Sequence, residues 1–146
     1  MFNKILVVCV GNICRSPTGE GILKQLLPTR HIASAGIAAE KSGLVGKSAD
    51  KTATELAAEH GVDIQAHQAQ QLTSELCAQY DLILVMEKGH IEALTSIAPE
   101  ARGKTMLFGQ WLGQKDIPDP YRQSREAFEY AYQLIQQSAE AWAKKL

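Results

Sequence analysis

Ile5-Leu6-Val7-Val8-Cys9-Val10-Gly11-Asn12-Ile13-Cys14-Arg15-Ser16-Pro17 reads as an apolar strand, a short loop and a helix start in immediate succession. Residues 5–8 form an apolar, mostly β-branched run. A thiol follows, then five loop residues including Gly11 and Asn12, then an arginine. Ser16-Pro17 has the form of a helix N-cap with proline at the first helical position. A loop curled at a helix N-terminus turns several backbone N–H groups inward and adds the positive end of the helix dipole. Such a place suits a dianionic tetrahedral group, and phosphate fits.

Outward from this stretch, strand-like and amphipathic helix-like segments alternate, the pattern of a parallel sheet covered on both faces. A first helix is expected over 17–27, with Ile22, Leu23, Leu26 and Leu27 on one face. Gly19 and Gly21 inside it read as tolerated drift at exposed positions. A second strand is expected near 32–35 and a surface loop over 36–47. Asp50 caps a helix running to His60 with Gly61 as its stop, and residues 62–72 are irregular. A short helix begins at Thr73-Ser74-Glu75 and carries Cys77 as a core residue. Residues 81–86 are the most apolar run and the candidate central strand. Ile91, Leu94 and Ile97 mark a helix, 104–108 the last strand, and 109–121 a loop. Phe128, Ala131, Ile135, Ala139 and Trp142 line a long closing helix. The fold class is α/β: a single three-layer, Rossmann-like domain over 1–146, with a four-stranded parallel sheet and helices on both faces.

With 146 residues, 45% of them hydrophobic, the chain can bury one sizeable core. A net charge of −1 without a basic run argues against nucleic-acid or membrane-surface binding. The N-terminus enters a strand without a cationic leader or bilayer-spanning segment, so no membrane insertion and a cytoplasmic location are expected. Three cysteines cannot make a secreted disulfide framework. Gly46-Lys47-Ser48 mimics the end of a nucleotide-binding loop, but the first glycine of that motif would fall at Lys41. Cys9, Cys14, His31 and His67 could be imagined around zinc, yet Arg15 would repel a cation and no Cys-x-x-Cys pair occurs; no metal and no cofactor are expected.

In open parallel sheets, ligands bind beyond the carboxyl ends of the strands. The Cys9 loop follows the first strand and the Asp119 loop the last, so both open at one end. The Cys-x5-Arg spacing lets a loop wrap a phosphate, with the sulfur in line with phosphorus and the guanidinium on two equatorial oxygens. Loop N–H groups, Arg15, the helix dipole and the Ser16 hydroxyl all favour the thiolate. Cys9 is then the nucleophile of a two-step displacement. Asp119, bracketed by Pro118 and Pro120, is the candidate general acid and base, with Asp116 as runner-up.

The first motif, with Ser34-Ala35-Gly36 and Asp119-Pro120-Tyr121, resembles the signatures of the low-molecular-weight protein tyrosine phosphatases over essentially the whole chain. The resemblance implies phosphotyrosine hydrolysis through a phosphocysteine, with Cys9, Arg15 and Asp119 as the catalytic trio. Val10, Gly11, Asn12, Ile13, Cys14, Arg15 and Ser16 would form the phosphate loop, which takes phosphate, vanadate or arsenate. Asn12, Ser16, Ser34 and His67 would support it, Leu44 and Tyr121 would line the substrate cleft, and Cys14 would guard Cys9 through a reversible disulfide. The Leu44 and Arg122-Gln123-Ser124 regions look closest to the bacterial branch acting on tyrosine autokinases that control capsule or exopolysaccharide export. The implied partner is therefore a phosphotyrosine protein, the cytoplasmic tail of a membrane tyrosine kinase. Two positions depart from the family: Gln70 where an arginine is usual nearby, which bears on loop support, and Gly19 where alanine is usual.

Other readings remain beside this one. Cys14 and Cys77 could be small buried apolar residues, His90 a surface residue, and Tyr121, Tyr130 and Tyr132 packing residues or phosphorylation sites. A thioredoxin-coupled arsenate reductase shares the scaffold but needs two further cysteines after Leu72, where only Cys77 stands. A non-catalytic phosphotyrosine-binding module would not need the full trio.

Overall fold

Both halves of the apolar run after Lys4 are buried, and this sets the architecture. In the computed structural model, which describes residues 2–146, strand β1 (Lys4–Cys9) sends Ile5, Val7 and Cys9 into one hydrophobic cluster and Leu6 and Val8 into another. A strand with apolar surface on both faces needs helices on both faces, which explains a continuous apolar run in place of an alternating one.

The other elements follow as α1 (Arg15–Leu26), β2 (His31–Gly36), α2 (Lys51–Glu59), α3 (Ser74–Cys77), β3 (Leu82–Val85), α4 (Lys88–Ile97), β4 (Thr105–Leu107) and α5 (Arg125–Lys145), with a 3-10 turn over Pro99–Lys104. The sheet is parallel throughout, in the order β2-β1-β3-β4. Val7 pairs with Ser34 on one side and Leu84 on the other. The Cys9 loop therefore leaves the sheet between the ends of β2 and β3. The first cluster joins β1 to Leu23 of α1, Leu56 of α2 and Phe128, Ile135 and Trp142 of α5. The second joins it to Cys77 and to Leu94 of α4.

Asp50 accepts a hydrogen bond from Ala53 N–H at 3.0 Å, capping α2 as expected. Thr73 and Ser124 cap α3 and α5 in the same way. Three expectations need correction. Helix α1 begins at Arg15, with Cys14 at its N-cap and no side-chain cap; Ser16 lies inside the first turn, because its hydroxyl is drawn into the loop instead. Leu26 is exposed. Gly19 and Gly21 are not drift: a Cβ on Gly19 would stand 3.2 Å from both Phe108 Cζ and Val7 Cγ1, and one on Gly21 would stand 2.8 Å from Val62 Cγ1. The cost of helical glycine, about 1 kcal/mol each, is offset by close packing of α1 on its neighbours. Among the tyrosines, Tyr132 packs in the core while Tyr130 is exposed.

Gly36 ends β2 directly beneath the Cys9 loop. A Cβ there would lie 2.7 Å from Val10 O and 3.0 Å from Asn12 N, both backbone atoms. Gly36→Ala should lower stability by about 1–3 kcal/mol, read as a shifted denaturant midpoint. An unchanged midpoint would show that the loop does not rest on this strand end.

Candidate active site

The shape of the loop follows from where its carbonyls go. Val10 O accepts from Ala38 N–H at 2.9 Å, Asn12 O from His67 Nε2–H at 2.6 Å and Ile13 O from Asp50 N–H at 2.7 Å. Cys14 O accepts from the Thr18 hydroxyl at 2.9 Å. In a trans peptide the following N–H points opposite to the carbonyl. Carbonyls tied outward thus turn the N–H groups of Gly11, Ile13, Cys14 and Arg15 inward. Among the described residues, the N–H groups of Gly11, Ile13, Cys14 and Arg15 find no acceptor within the protein. Four convergent donors at the start of α1 make an anion cradle.

Asn12 holds the turn at φ +60°, a left-handed conformation that asparagine tolerates. Its Nδ2 donates to Ser16 Oγ at 2.7 Å and Ser34 Oγ at 2.9 Å, and its Oδ1 accepts from Gln70 N–H at 2.9 Å. Ser16 Oγ lies 3.0 Å from Cys9 Sγ. Ser34 donates to Glu20 Oε1 at 2.6 Å, and Glu20 is held by Lys24. The structure thus brings Cys9, Asn12, Ser16, Ser34 and His67 into one network. It adds Gln70, whose Nε2 also donates to Ser34 O, and Glu20. The Gln70 departure leaves the loop supported, through backbone and side-chain amides.

Arg15 is 2% exposed, and an unpaired buried charge costs several kcal/mol. Its Nη1 donates to Glu87 Oε2 at 2.6 Å and to Ile117 O at 2.7 Å. Nη2 and Nε make no protein hydrogen bond among the described residues, and the nearest carboxylate to Nη2 is Asp119 at 3.7 Å, beyond hydrogen-bond reach. The guanidinium is therefore clamped on one edge and open on the other. Glu87, at the start of α4, was invisible to motif reading; the apolar β3 run just before it, adjacent to β1, was the one available signal. His90 is not a surface residue. Its Nε2 lies 3.7 Å from Glu87 Oε2, and burial, followed by the Arg15 charge, holds its imidazole below the ordinary range.

Cys9, Gly11, Arg15, Leu44, Asp119 and Tyr121 line one open cleft, with Arg122 at its rim. Asp116 does not line it: its Oδ1 accepts from Lys88 N–H at 2.8 Å, at the start of α4. The half-exposed Asp119 is thus the carboxyl group presented to the cradle. Among the described residues, no cluster of histidine, cysteine or acidic side chains could hold a metal ion, and no helix is long and apolar enough to cross a membrane.

This arrangement has close counterparts. The family described as low molecular weight phosphotyrosine protein phosphatase matches residues 4–146. The low molecular weight protein-tyrosine-phosphatase Wzb of Salmonella typhimurium is 56% identical over 146 residues, covering 100% of this chain and 95% of its own. The solved structure of Vibrio vulnificus Wzb in complex with benzylphosphonate is 75% identical, with full coverage of both chains and a TM-score of 0.99. That of Escherichia coli K30 Wzb in complex with phosphate is 53% identical, covers 100% of this chain and 99% of its own, and has a TM-score of 0.92.

The three cysteines are free and buried, but their surroundings differ. Burial first, then the charges of Asp50 and Cys9, push the Cys14 thiol far up, and burial also raises Cys77. Both stay protonated at neutral pH, so neither competes with Cys9 for an alkylating agent. Iodoacetamide at neutral pH should label Cys9 alone in the folded protein, and Ser16→Ala should slow that labelling roughly tenfold by removing one hydrogen bond to the sulfur. Comparable labelling of Cys14 or Cys77, read by peptide mass mapping, would contradict this.

Proposed function

The chain belongs to the low-molecular-weight protein tyrosine phosphatases, in the exopolysaccharide-associated branch that includes Wzb, and we propose that it hydrolyses phosphotyrosine through a phosphocysteine at Cys9. One observation carries the mechanism: a thiol, an inward ring of N–H groups, a half-clamped arginine and a carboxyl group line a single cleft. Benzylphosphonate, bound by the Vibrio vulnificus relative, keeps the aryl group and anionic head of phosphotyrosine while its carbon bridge cannot be hydrolysed. The same cleft here accepts phosphate, vanadate or arsenate.

In the first step the Cys9 thiolate attacks phosphorus, the bond to the tyrosine oxygen breaks, and Asp119 gives that oxygen its proton. The loop N–H groups and the free edge of Arg15 hold the equatorial oxygens as their charge rearranges. In the second step Asp119 takes a proton from water, the water oxygen bonds to phosphorus, and the thiolate departs with inorganic phosphate as product. Leu44 and Tyr121 flank the tyrosine ring. The residues of the supporting network act through the loop and touch no substrate.

Residues 1–146 work as one phosphatase domain in the cytoplasm. The substrate is a phosphotyrosine protein, the cytoplasmic tail of a membrane tyrosine kinase controlling exopolysaccharide or capsule production. Under peroxide, Cys9 becomes a sulfenic acid, which the neighbouring Cys14 thiol converts to a disulfide with loss of water, sparing Cys9 from further oxidation.

Cys9→Ser should abolish p-nitrophenyl phosphate turnover. Asp119→Asn should slow aryl phosphates with poor leaving groups by roughly 10²–10⁴-fold and activated ones much less. Full activity of Cys9→Ser, or an Asp119→Asn loss independent of the leaving group, would overturn the assignment.

A further inference from the structure

The turn that carries Asp119 also carries a residue whose backbone is at odds with its side chain. Gln123 N–H donates to Pro120 O at 2.9 Å and closes a four-residue turn. Its third residue, Arg122, has φ +62°. Glycine or asparagine ordinarily occupies such a position, because a Cβ and a long side chain are strained there. The turn is pinned around it: Tyr121 N–H donates to Asp119 Oδ1 at 3.1 Å, and Gln123 Nε2–H donates to Asp119 O at 3.0 Å. Strain held in place this firmly points to a use for the side chain.

That side chain lines the same cleft as Cys9 and Asp119. Its guanidinium carbon lies 5.2 Å from the centre of the Tyr121 ring, which supports it from one face. Among the described residues Arg122 forms no ion pair, whereas the other cation of the cleft, Arg15, is committed to Glu87. The rim therefore holds one cation with its donor fork open. With the phosphotyrosine ring seated along Leu44 and Tyr121 as proposed above, the residues flanking it leave the cleft on the side that Arg122 lines.

We propose that Arg122 determines substrate specificity by pairing with a second anionic group, a carboxylate or a phosphate, on a residue flanking the phosphotyrosine. This rests on the phosphotyrosine reading above and adds to it a class of substrate: peptides with an acidic or second phosphorylated neighbour. The guanidinium fork matches either anion, and Tyr121 presents it without loss of charge.

The test compares phosphotyrosine peptides that differ at one flanking position, carrying alanine, glutamate or a second phosphotyrosine, with the position scanned on both sides. Wild-type kcat/KM for the two anionic peptides should exceed that for the alanine peptide by roughly three- to tenfold, the scale of a partly exposed charge pair. The gain should lie in KM and shrink with added salt. Arg122→Asn keeps a residue that tolerates the left-handed backbone and should bring the ratio to about 1, and Arg122→Glu should invert it. Preference for the doubly phosphorylated peptide alone would identify a phosphate as the group bound; preference for both anionic peptides would admit a carboxylate. A wild-type ratio near 1, or an Arg122→Asn loss equal on all peptides as for a purely structural residue, would overturn the assignment while leaving the phosphatase reading intact. Absence of wild-type turnover on every peptide and on p-nitrophenyl phosphate would overturn both.

Discussion

Asn12 has no solvent exposure, and its amide spends both of its N–H donors and accepts one bond at its oxygen. Gln70 N–H at Oδ1 fixes which way the amide faces. Both Nδ2 hydrogens are then donated, to Ser16 and Ser34, so each of those oxygens is an acceptor toward Asn12. Each serine has one hydrogen left. That of Ser34 goes to the Glu20 carboxylate, which can only accept. That of Ser16 is left for the sulfur of Cys9, 3.0 Å away. A chain of forced proton directions thus runs from a surface-proximal glutamate to the thiol. Each member left unsatisfied would cost about 1–3 kcal/mol, which makes the network a constraint on the loop rather than a decoration of it.

The second constraint is topological. Because β1 and β3 are neighbours at the centre of the sheet, the loop after β1 opens beside the start of α4 after β3. Arg15 and Glu87 meet there, 72 residues apart in sequence. Ile117 O, on the loop after β4, completes the clamp on the guanidinium and anchors the segment that presents Asp119 two residues later. The Cys9 loop and the segment carrying Asp119 are therefore held by one buried arginine, with its open edge toward the cleft.

Much of this was legible in the chain. The continuous apolar runs at 5–8 and 82–86 signal strands buried on both faces, and Asp50 and Gly61 bound α2 where they should. The cysteine-to-arginine loop announces itself by spacing, and the placement of Asp119 at the same sheet edge follows from alternation of strands and helices. What was not legible depends on distance. Glu87 and Glu20 sit at ordinary helical positions and matter only because of what the fold sets against them. His90 looks like a surface residue until α4 turns it inward beside Glu87. Gly19 and Gly21 look like weak points until Phe108 and Val62 are found where their side chains would be. Ser16 has the sequence of a cap, but a buried thiol and amide compete for its hydroxyl and win.

The central claim is that Cys9 takes the phosphoryl group onto its sulfur within the cradle. Acid quenching during turnover of an aryl phosphate by an Asp119→Ala variant, slowed in the second step, followed by peptide mass mapping, tests it most directly. The account predicts a phosphoryl adduct on Cys9 that disappears on longer incubation as inorganic phosphate accumulates. Turnover without any adduct on Cys9, or with the phosphoryl group on Ser16 or His67, would contradict it.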